Sequence, residues 1–289
     1  MNKFLSFAAL AAGLSLSVAA SAQEQATTAS SNGSYRPIPN SDIMFRKTIW
    51  RAIDLREKQN KPMFSEGREI SGIIMDAVKR GELQAYTNDS LTTTLSSAEM
   101  LSKMSYQEAA AGLSDEEKAA GFSNEATDDW GAPVKKGSKA AAAPAAPASY
   151  AYRPKDIYQM ELKEDMIFDK KRSRMYHDIK SLTLLVPSTL SGNTSGIERP
   201  IGSFKYSDLV RVFRANPDKA IWFNPQNDAQ HKNLADAFEL WLFNSYIVKV
   251  SNPTDSRLDE IYGSQQQGIL ASQQAAADLI EYEYNLWSF

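Results

Sequence analysis

The chain has no cysteine and only two histidines in 289 residues. Without cysteine there is no thiol nucleophile, no disulfide framework and no thiolate metal site. His177 and His231 lie far apart, outside any HExxH spacing, and no GxSxG, P-loop or GxGxxG run occurs. Gly192 and Gly196 lack the flanking strand and helix start of a phosphate cradle. His177 and Asp178 are neighbours on an expected strand, so their side chains point to opposite faces and form no acid/base dyad. His177 is expected as a satisfied residue of the sheet core. Asp54, Glu57, Asp165 and Asp228 are all accounted for as helix-face pairs or turn caps, although carboxylates are plentiful enough to leave a glycosidase-like pair open. No catalytic, cofactor-binding or metal residue is expected. A basic excess is also missing: the formal net charge is −3, which argues against a nucleic-acid binder.

Long apolar runs are missing beyond the start of the chain, so no direct membrane insertion is expected. The start itself reads as an export leader, residues 1–22. Lys3 supplies the positive region, Phe4 to Val18 the apolar stretch, and Ala20-Ser21-Ala22 the small-residue pattern for cleavage between Ala22 and Gln23. Loss of Lys3 with the leader takes the charge from −3 to −4. With no cysteine to carry an acyl anchor, a soluble periplasmic protein is expected.

Residues 23–40 are polar and Ser/Thr-rich and read as a flexible tail. Asp42 then caps an expected helix over 44–58, in which Phe45, Ile49 and Ile53 recur at helical spacing. A second helix is expected over Ile70–Arg80, closed by Gly81, and a short strand at Leu83–Ala85. One or two loosely packed helices follow, up to about Gly121. Residues 123–150 are Ala/Pro/Lys-rich, cannot bury enough apolar side chain to offset their ordering entropy, and read as a linker. Trp130 inside it is either a local packing anchor or a docking residue. The linker separates an N-terminal α+β unit, 41–122, from a C-terminal α+β domain, 151–289.

The organising stretch lies just past the linker. Tyr158, Met160, Leu162, Met166 and Phe168 alternate with polar residues, interrupted only by Glu164, which is the pattern of a half-buried strand. The polar segment DKKRSR (169–174) follows, then Met175, His177 and Ile179 alternate in turn. The apolar phase then slips by one, to Leu182, Leu184 and Val186. An absorbed extra residue, a β-bulge near Lys180–Ser181, keeps the apolar set on one face. The result is a long bulged hairpin with a basic tip, either a solvated turn or a contact surface for something acidic.

After the hairpin, 191–204 reads as a glycine-rich connection and Tyr206–Ala215 as a helix with Leu209, Val212 and Phe213 inward. Ala220–Phe223 reads as extended and FNPQND (223–228) as a turn. Leu234, Phe238, Trp241 and Leu242 mark another helix face, and Tyr246, Val248 and Val250 a strand. A closing helix carries Ala276, Leu279, Ile280, Leu286 and Trp287 on one side. The aromatics Trp222, Phe223, Trp241, Phe243, Tyr246, Tyr282, Tyr284, Trp287 and Phe289 crowd this half, enough for a core and for an exposed interface cluster besides. Two portions, one starting at IWRAIDLREKQ and one at YSDLVRVFRA, share the expected order helix, extended segment, helix, strand. Duplication and coincidence both explain this. The expected class is α+β: two small helix–strand units, the second carrying the bulged hairpin, with a small mixed or antiparallel sheet packed by helices.

IDLREK (53–58), FDKKRSRM (168–175), FNPQND (223–228), FNSYI leading into VSNP (243–253) and EYNLW (283–287) together resemble the GldN/PorN family, in order over roughly 42–88 and 151–289. The long Ala/Pro linker and SLTLLVPS depart from its pattern. The resemblance implies a non-enzymatic periplasmic subunit of the Bacteroidetes type IX secretion and gliding machinery. It implies a ring built with an outer-membrane lipoprotein of the GldK/PorK type, meeting the periplasmic part of a GldM/PorM-type motor. On that reading Lys170, Lys171, Arg172 and Arg174 at the tip, with Arg56 and Glu57 of the charged 54–58 segment, lie at contacts with the lipoprotein or neighbouring copies. The rival reading is a periplasmic hydrolase or cell-wall-binding protein, which would need a cleft with converging carboxylates.

Overall fold

The computed structural model describes residues 38–107 and 149–286, apart from 191 and 194. The expected leader with Ala22 and Gln23, most of the expected linker with Trp130, and Trp287 lie outside the described residues. The strands before the linker are β1 (Ile43–Asp54), β2 (Ala85–Tyr86), β3 (Thr94–Leu95) and β4 (Ser105–Gln107). After it come β5 (Ser149–Ala151), β6 (Gln159–Asp169), β7 (Arg174–Val186) and β8 (Arg199–Lys205). Then follow β9 (Ile221–Trp222), β10 (Lys232–Asn233) and β11 (Tyr246–Val250). Seven of them form one antiparallel sheet in the order β11-β1-β6-β7-β8-β2-β3, and β4/β5 and β9/β10 are small ribbons. The helices are α1 (Ile70–Lys79), α2 (Ser97–Lys103), α3 (Tyr206–Ala215), α4 (Leu234–Glu239), α5 (Leu258–Tyr262) and α6 (Gln265–Leu286). The class is α+β, with segments from both sides of the linker woven into a single sheet.

The expected helix over 44–58 is instead strand β1, paired with β6 along its whole length and with β11 over its second half. Phe45, Ile49 and Ile53 are four apart, and a spacing of four satisfies a period of two as well as one of 3.6. Residue type decides between them. Ile43, Thr48, Ile49 and Ile53 are β-branched and Phe45 and Trp50 aromatic, all of which favour a pleated surface. The first of the two similar portions therefore opens on a strand where the second opens on helix α3, and the shared order breaks there. A second difference lies at 191–204, where β8 occupies the stretch read as a connection. Pro200 is tolerated there because β2 reaches only the far end of β8, at Ser203 and Phe204, and leaves Pro200 an open edge.

The hairpin forms as its pattern requires. In the β6–β7 pairing Lys163 faces Ser181 and Glu164 faces Ile179, so Lys180 is the extra residue of the bulge. It restores Leu182, Leu184 and Val186 to the face that carries Met160 and Leu162. On that face the main core joins Ile53, Met160, Leu162, Leu182, Leu184 and Phe204 to Ile70, Ile74 and Val78 of α1, Leu209 and Phe213 of α3, and Phe238 of α4. Helix α1 ends at Gly81, whose φ of +75° permits the left-handed turn that closes it. Helix α4 is shorter than the apolar spacing suggests: it stops at Glu239, and Trp241 (φ 57°) turns left-handed to lay its indole against Phe243.

A smaller core cluster joins Ile49, Met166, Ile247 and Leu258 to Ala271, Ala275, Ala276 and Leu279 of α6. The buried side of α6 is thus a stripe of small residues, while Ile280, expected inward, is 68% exposed. Gly268 sets the approach, since a Cβ there would meet the Asp259 backbone at 3.0–3.1 Å. Truncation of Phe238, packed among Tyr206, Phe213 and Phe243 in the main core, is expected to be among the costliest single changes. Chemical denaturation of Phe238→Ala is expected to give a loss of about 3–5 kcal/mol. A loss under about 1 kcal/mol would place the core elsewhere.

Candidate functional site: two charged ends of one sheet

The four tip residues are not equivalent. Asp169 is fully buried at the end of β6. Its carboxylate accepts from the backbone N–H of Lys171 (2.8 Å) and of Arg172 (3.2 Å), and from Arg172 Nη1 (2.7 Å). Burial works against its ionisation, but Arg172 and the two N–H groups outweigh it and hold the carboxyl below the usual range. The Lys170 N–H donates to Asp42 O, tying the turn to the start of β1, and Ser173 takes a left-handed φ of 49°. Arg172 therefore shapes the turn, and the Arg174 guanidinium lies 5.9 Å from the Tyr176 ring. Lys170 and Lys171 are exposed at the apex, beside Met44, which is 53% exposed.

Arg56 and Glu57 lie at the opposite end, because β1 pairs Ile43 with Asp169 but Asp54 with Gln159. Residues 55–60 form a turn here. Arg56 bonds Asp54 at 2.9 Å and lies 3.6 Å over the Tyr158 ring. Buried Asn60 donates to Asp54 O (2.8 Å) and Asn244 O (2.9 Å) and accepts from Asn244 N (2.7 Å), while the Asn244 amide reaches Glu57 at 2.6 Å. The IDLREK and FNSYI motifs thus meet in space. The tip and the Arg56/Glu57 turn do not; they are separate patches at the two ends of the sheet.

Between the ends sits Glu164, the residue that interrupted the apolar alternation. Its side chain is fully buried, with Arg51 Nε at 2.5 Å and His177 Nδ1 at 2.9 Å. Trp241 caps the group, its ring 4.5 Å from the His177 ring and 5.7 Å from the Arg51 guanidinium. His177 is satisfied, as expected, but its side chain is 34% exposed rather than in the core. Only its Nδ1 edge is drawn inward by the glutamate. On the other face Asp89 accepts from the Trp50 indole (2.7 Å) and from Lys163 (3.0 Å), and Lys249 lies 4.3 Å over the Trp50 ring. These contacts fasten the 87–93 loop across the sheet.

Sequence reasoning missed a cavity of about 280 Å³ at the Arg56 end, outside the main core and bordering the smaller cluster at Ile247 and Leu258. Glu198, Tyr246, Arg257 and Asp259 line it, with exposed Ile197 and Ile269 at its rim. Asn193 places the first wall, donating to Ile197 O at 2.7 Å. Asn252, in the VSNP motif, braces the turn that delivers Arg257, donating to Val250 O and Ser256 O at 2.9 Å. Arg257 Nη1 reaches Glu161 at 2.7 Å. Glu198 is pushed above its ordinary value, first by burial and also by the nearby Glu161 and Asp259 charges, which Arg257 only partly offsets. The one sequence signal was Glu161 on the polar side of β6; nothing marked Glu198. A wider groove of about 470 Å³, between the end of α1 and the start of α2, contains Glu99 as its only charged residue, and Glu99 is already engaged in capping α2.

A family model described as "Gliding motility associated protein GldN" matches residues 38–288. The chain belongs to the GldN family. It is accordingly a component associated with gliding motility and type IX secretion. No curated protein matches the chain. Among the described residues no helix is long and apolar enough to cross a membrane, and no cluster of His, Asp and Glu is arranged to hold a metal ion.

The Glu164 group generates a pH dependence. Burial works against the charged form, but His177 and Arg51 outweigh it and hold the carboxyl below its ordinary value of 4.5. A depressed folded-state value stabilises the protein above pH 4.5, and that share is lost as pH falls through the folded value. Glu164→Gln is expected to be less stable than the parent at pH 7 and to lose less stability between pH 5 and pH 3 (about the carboxylate titration range), followed by urea denaturation. Parallel stability curves for the two proteins would contradict this assignment.

Proposed function

We propose that this chain is a non-enzymatic, periplasmic structural subunit of the type IX secretion and gliding apparatus. In this reading it joins an outer-membrane lipoprotein of the GldK/PorK type in a ring and meets the periplasmic part of a GldM/PorM-type inner-membrane motor. The lipoprotein, in this reading, holds the ring at the outer membrane. The carrying observation is the family match over residues 38–288. The separation of two charged, motif-bearing patches at opposite ends of one pinned sheet supports it, since an assembly subunit must present more than one face.

A hydrolase would need a free acid/base pair in a cleft. At the cavity with converging carboxylates, Glu161 is bound to Arg257 and Glu198 is engaged by Gln159, a pairing better suited to holding a shape or a partner. The Asp169-braced tip, whose apex lysines are exposed, has the form of a rigid contact element. Capture of the chain from native envelope after crosslinking is expected to recover the lipoprotein and the motor protein together. Recovery of the chain without either would overturn the proposal. Charge reversal of Lys170, Lys171 and Arg174, which leaves the Asp169–Arg172 brace intact, is expected to shrink the captured assembly, and raising salt is expected to shrink the parent's assembly but not to shrink the variant's further.

A further inference from the structure

We infer that the basic hairpin tip of one copy docks into the acidic cavity at the opposite end of the sheet of the next copy. This inference rests on the ring reading and assigns the contact that repeats around the ring. The cavity has the chemistry of a socket for a long cationic side chain. Its rim is aliphatic, with Ile197 70% and Ile269 49% exposed, and Tyr246 is 42% exposed in its wall. Such surfaces suit the methylene stem of a lysine.

Carboxylates gather around that socket. Glu198, Asp259 and Glu260 line it and Glu161 lies beside it, four acids against the single guanidinium of Arg257. Burial, joined by the Glu161 and Asp259 charges, keeps Glu198 above its ordinary value, and an arriving ammonium would favour its charged form. The Gln159 amide hydrogen-bonds Glu198, and its buried Oε1 has no hydrogen-bond partner, an acceptor left for an incoming N–H.

The complementary element on the same chain is the tip. Lys170 and Lys171 stand at a turn made rigid by Asp169, and exposed Met44 beside them matches the aliphatic rim. A preformed turn loses little entropy on docking. Geometry separates plug from socket: Glu161 and Asp169 are eight residues apart on β6, about 26 Å at the usual rise of a strand. A chain cannot fill its own socket across that distance. Two complementary surfaces on opposite ends of one rigid body give a heterologous contact, which repeats from copy to copy and closes a ring when the rotation per step allows.

The absence of native cysteine gives a clean test. Lys171→Cys and Ile197→Cys are introduced into the full-length chain, singly and together, and cells are treated with a mild oxidant. The double variant is expected to give a ladder of disulfide-linked multimers. Cells expressing both single variants are expected to give a mixed dimer, and neither variant alone should give one. Adding Glu198→Lys to the double variant is expected to cut the ladder about tenfold, the factor for a contact weakened by about 1.4 kcal/mol. Absence of a ladder, or tip-to-tip dimers from Lys171→Cys alone, would overturn the inference. Capture of the lipoprotein from the same cells separates the two claims. Lipoprotein recovered without a ladder leaves the apparatus reading standing and removes this contact, whereas a ladder without lipoprotein does the reverse.

Discussion

The constraint on which the structure depends is the insertion of β1 between β6 and β11. A strand from before the linker takes a central place among strands from after it, so neither part of the chain completes the sheet without the other. Its pairing with β6 runs from Ile43↔Asp169 to Asp54↔Gln159 and sets the distance between the two ends of the molecule. Several of the contacts described above are registered on this pair. Asp42 ties to the tip, Arg51 reaches Glu164, Trp50 meets Lys163 and Lys249, and Asp54 anchors the Arg56 turn.

A buried carboxylate in the middle of such a sheet would be costly by itself, since removing one partner of a buried ion pair costs about 3–5 kcal/mol. Glu164 is tolerated because Arg51 comes from β1, His177 from β7, and Trp241 covers them from beyond α4. Four separate parts of the chain must be in place before the charge is satisfied. The group therefore favours one register of the three strands over its neighbours: a one-residue slip would carry Arg51 or His177 to the other face.

The functional picture follows from this rigidity. Charges at the tip are held by Asp169 rather than left to a loose loop, and the cavity at the far end is set by asparagines that fix the backbone on either side of it. Family motifs that look unrelated in sequence become one arrangement. IDLREK and FNSYI meet through Asn60 and Asn244, VSNP delivers Arg257 to the cavity, and FDKKRSRM is the opposite end of the sheet. Family membership makes this a component of a secretion and gliding machine. A sheet with different charges at its two ends is suited to serial contacts of that kind.

Several elements were determined by the sequence alone. The period-2 alternation and its one-residue slip defined the hairpin and put a bulge near Lys180–Ser181, because a buried face tolerates no other phase; the strand pairing assigns it to Lys180. Helices α1 and α3 were legible from their apolar spacing, and the five motifs pointed to the family. Local pattern failed where two periods coincide, at Phe45, Ile49 and Ile53, and where a strand owes its existence to a distant partner, as β8 does to β7. At α6 the helix and its inward Ala276 and Leu279 were legible, but Ile280 faces outward, and Gly268 makes sense only against Asp259. The tip charges and Arg56 with Glu57 were visible as charge, but only the pairing of β1 with β6 placed them at opposite ends. The acidic cavity was illegible because its walls come from three separated stretches, and Glu198 acquires its character from burial beside Glu161, which adjacency in sequence does not encode.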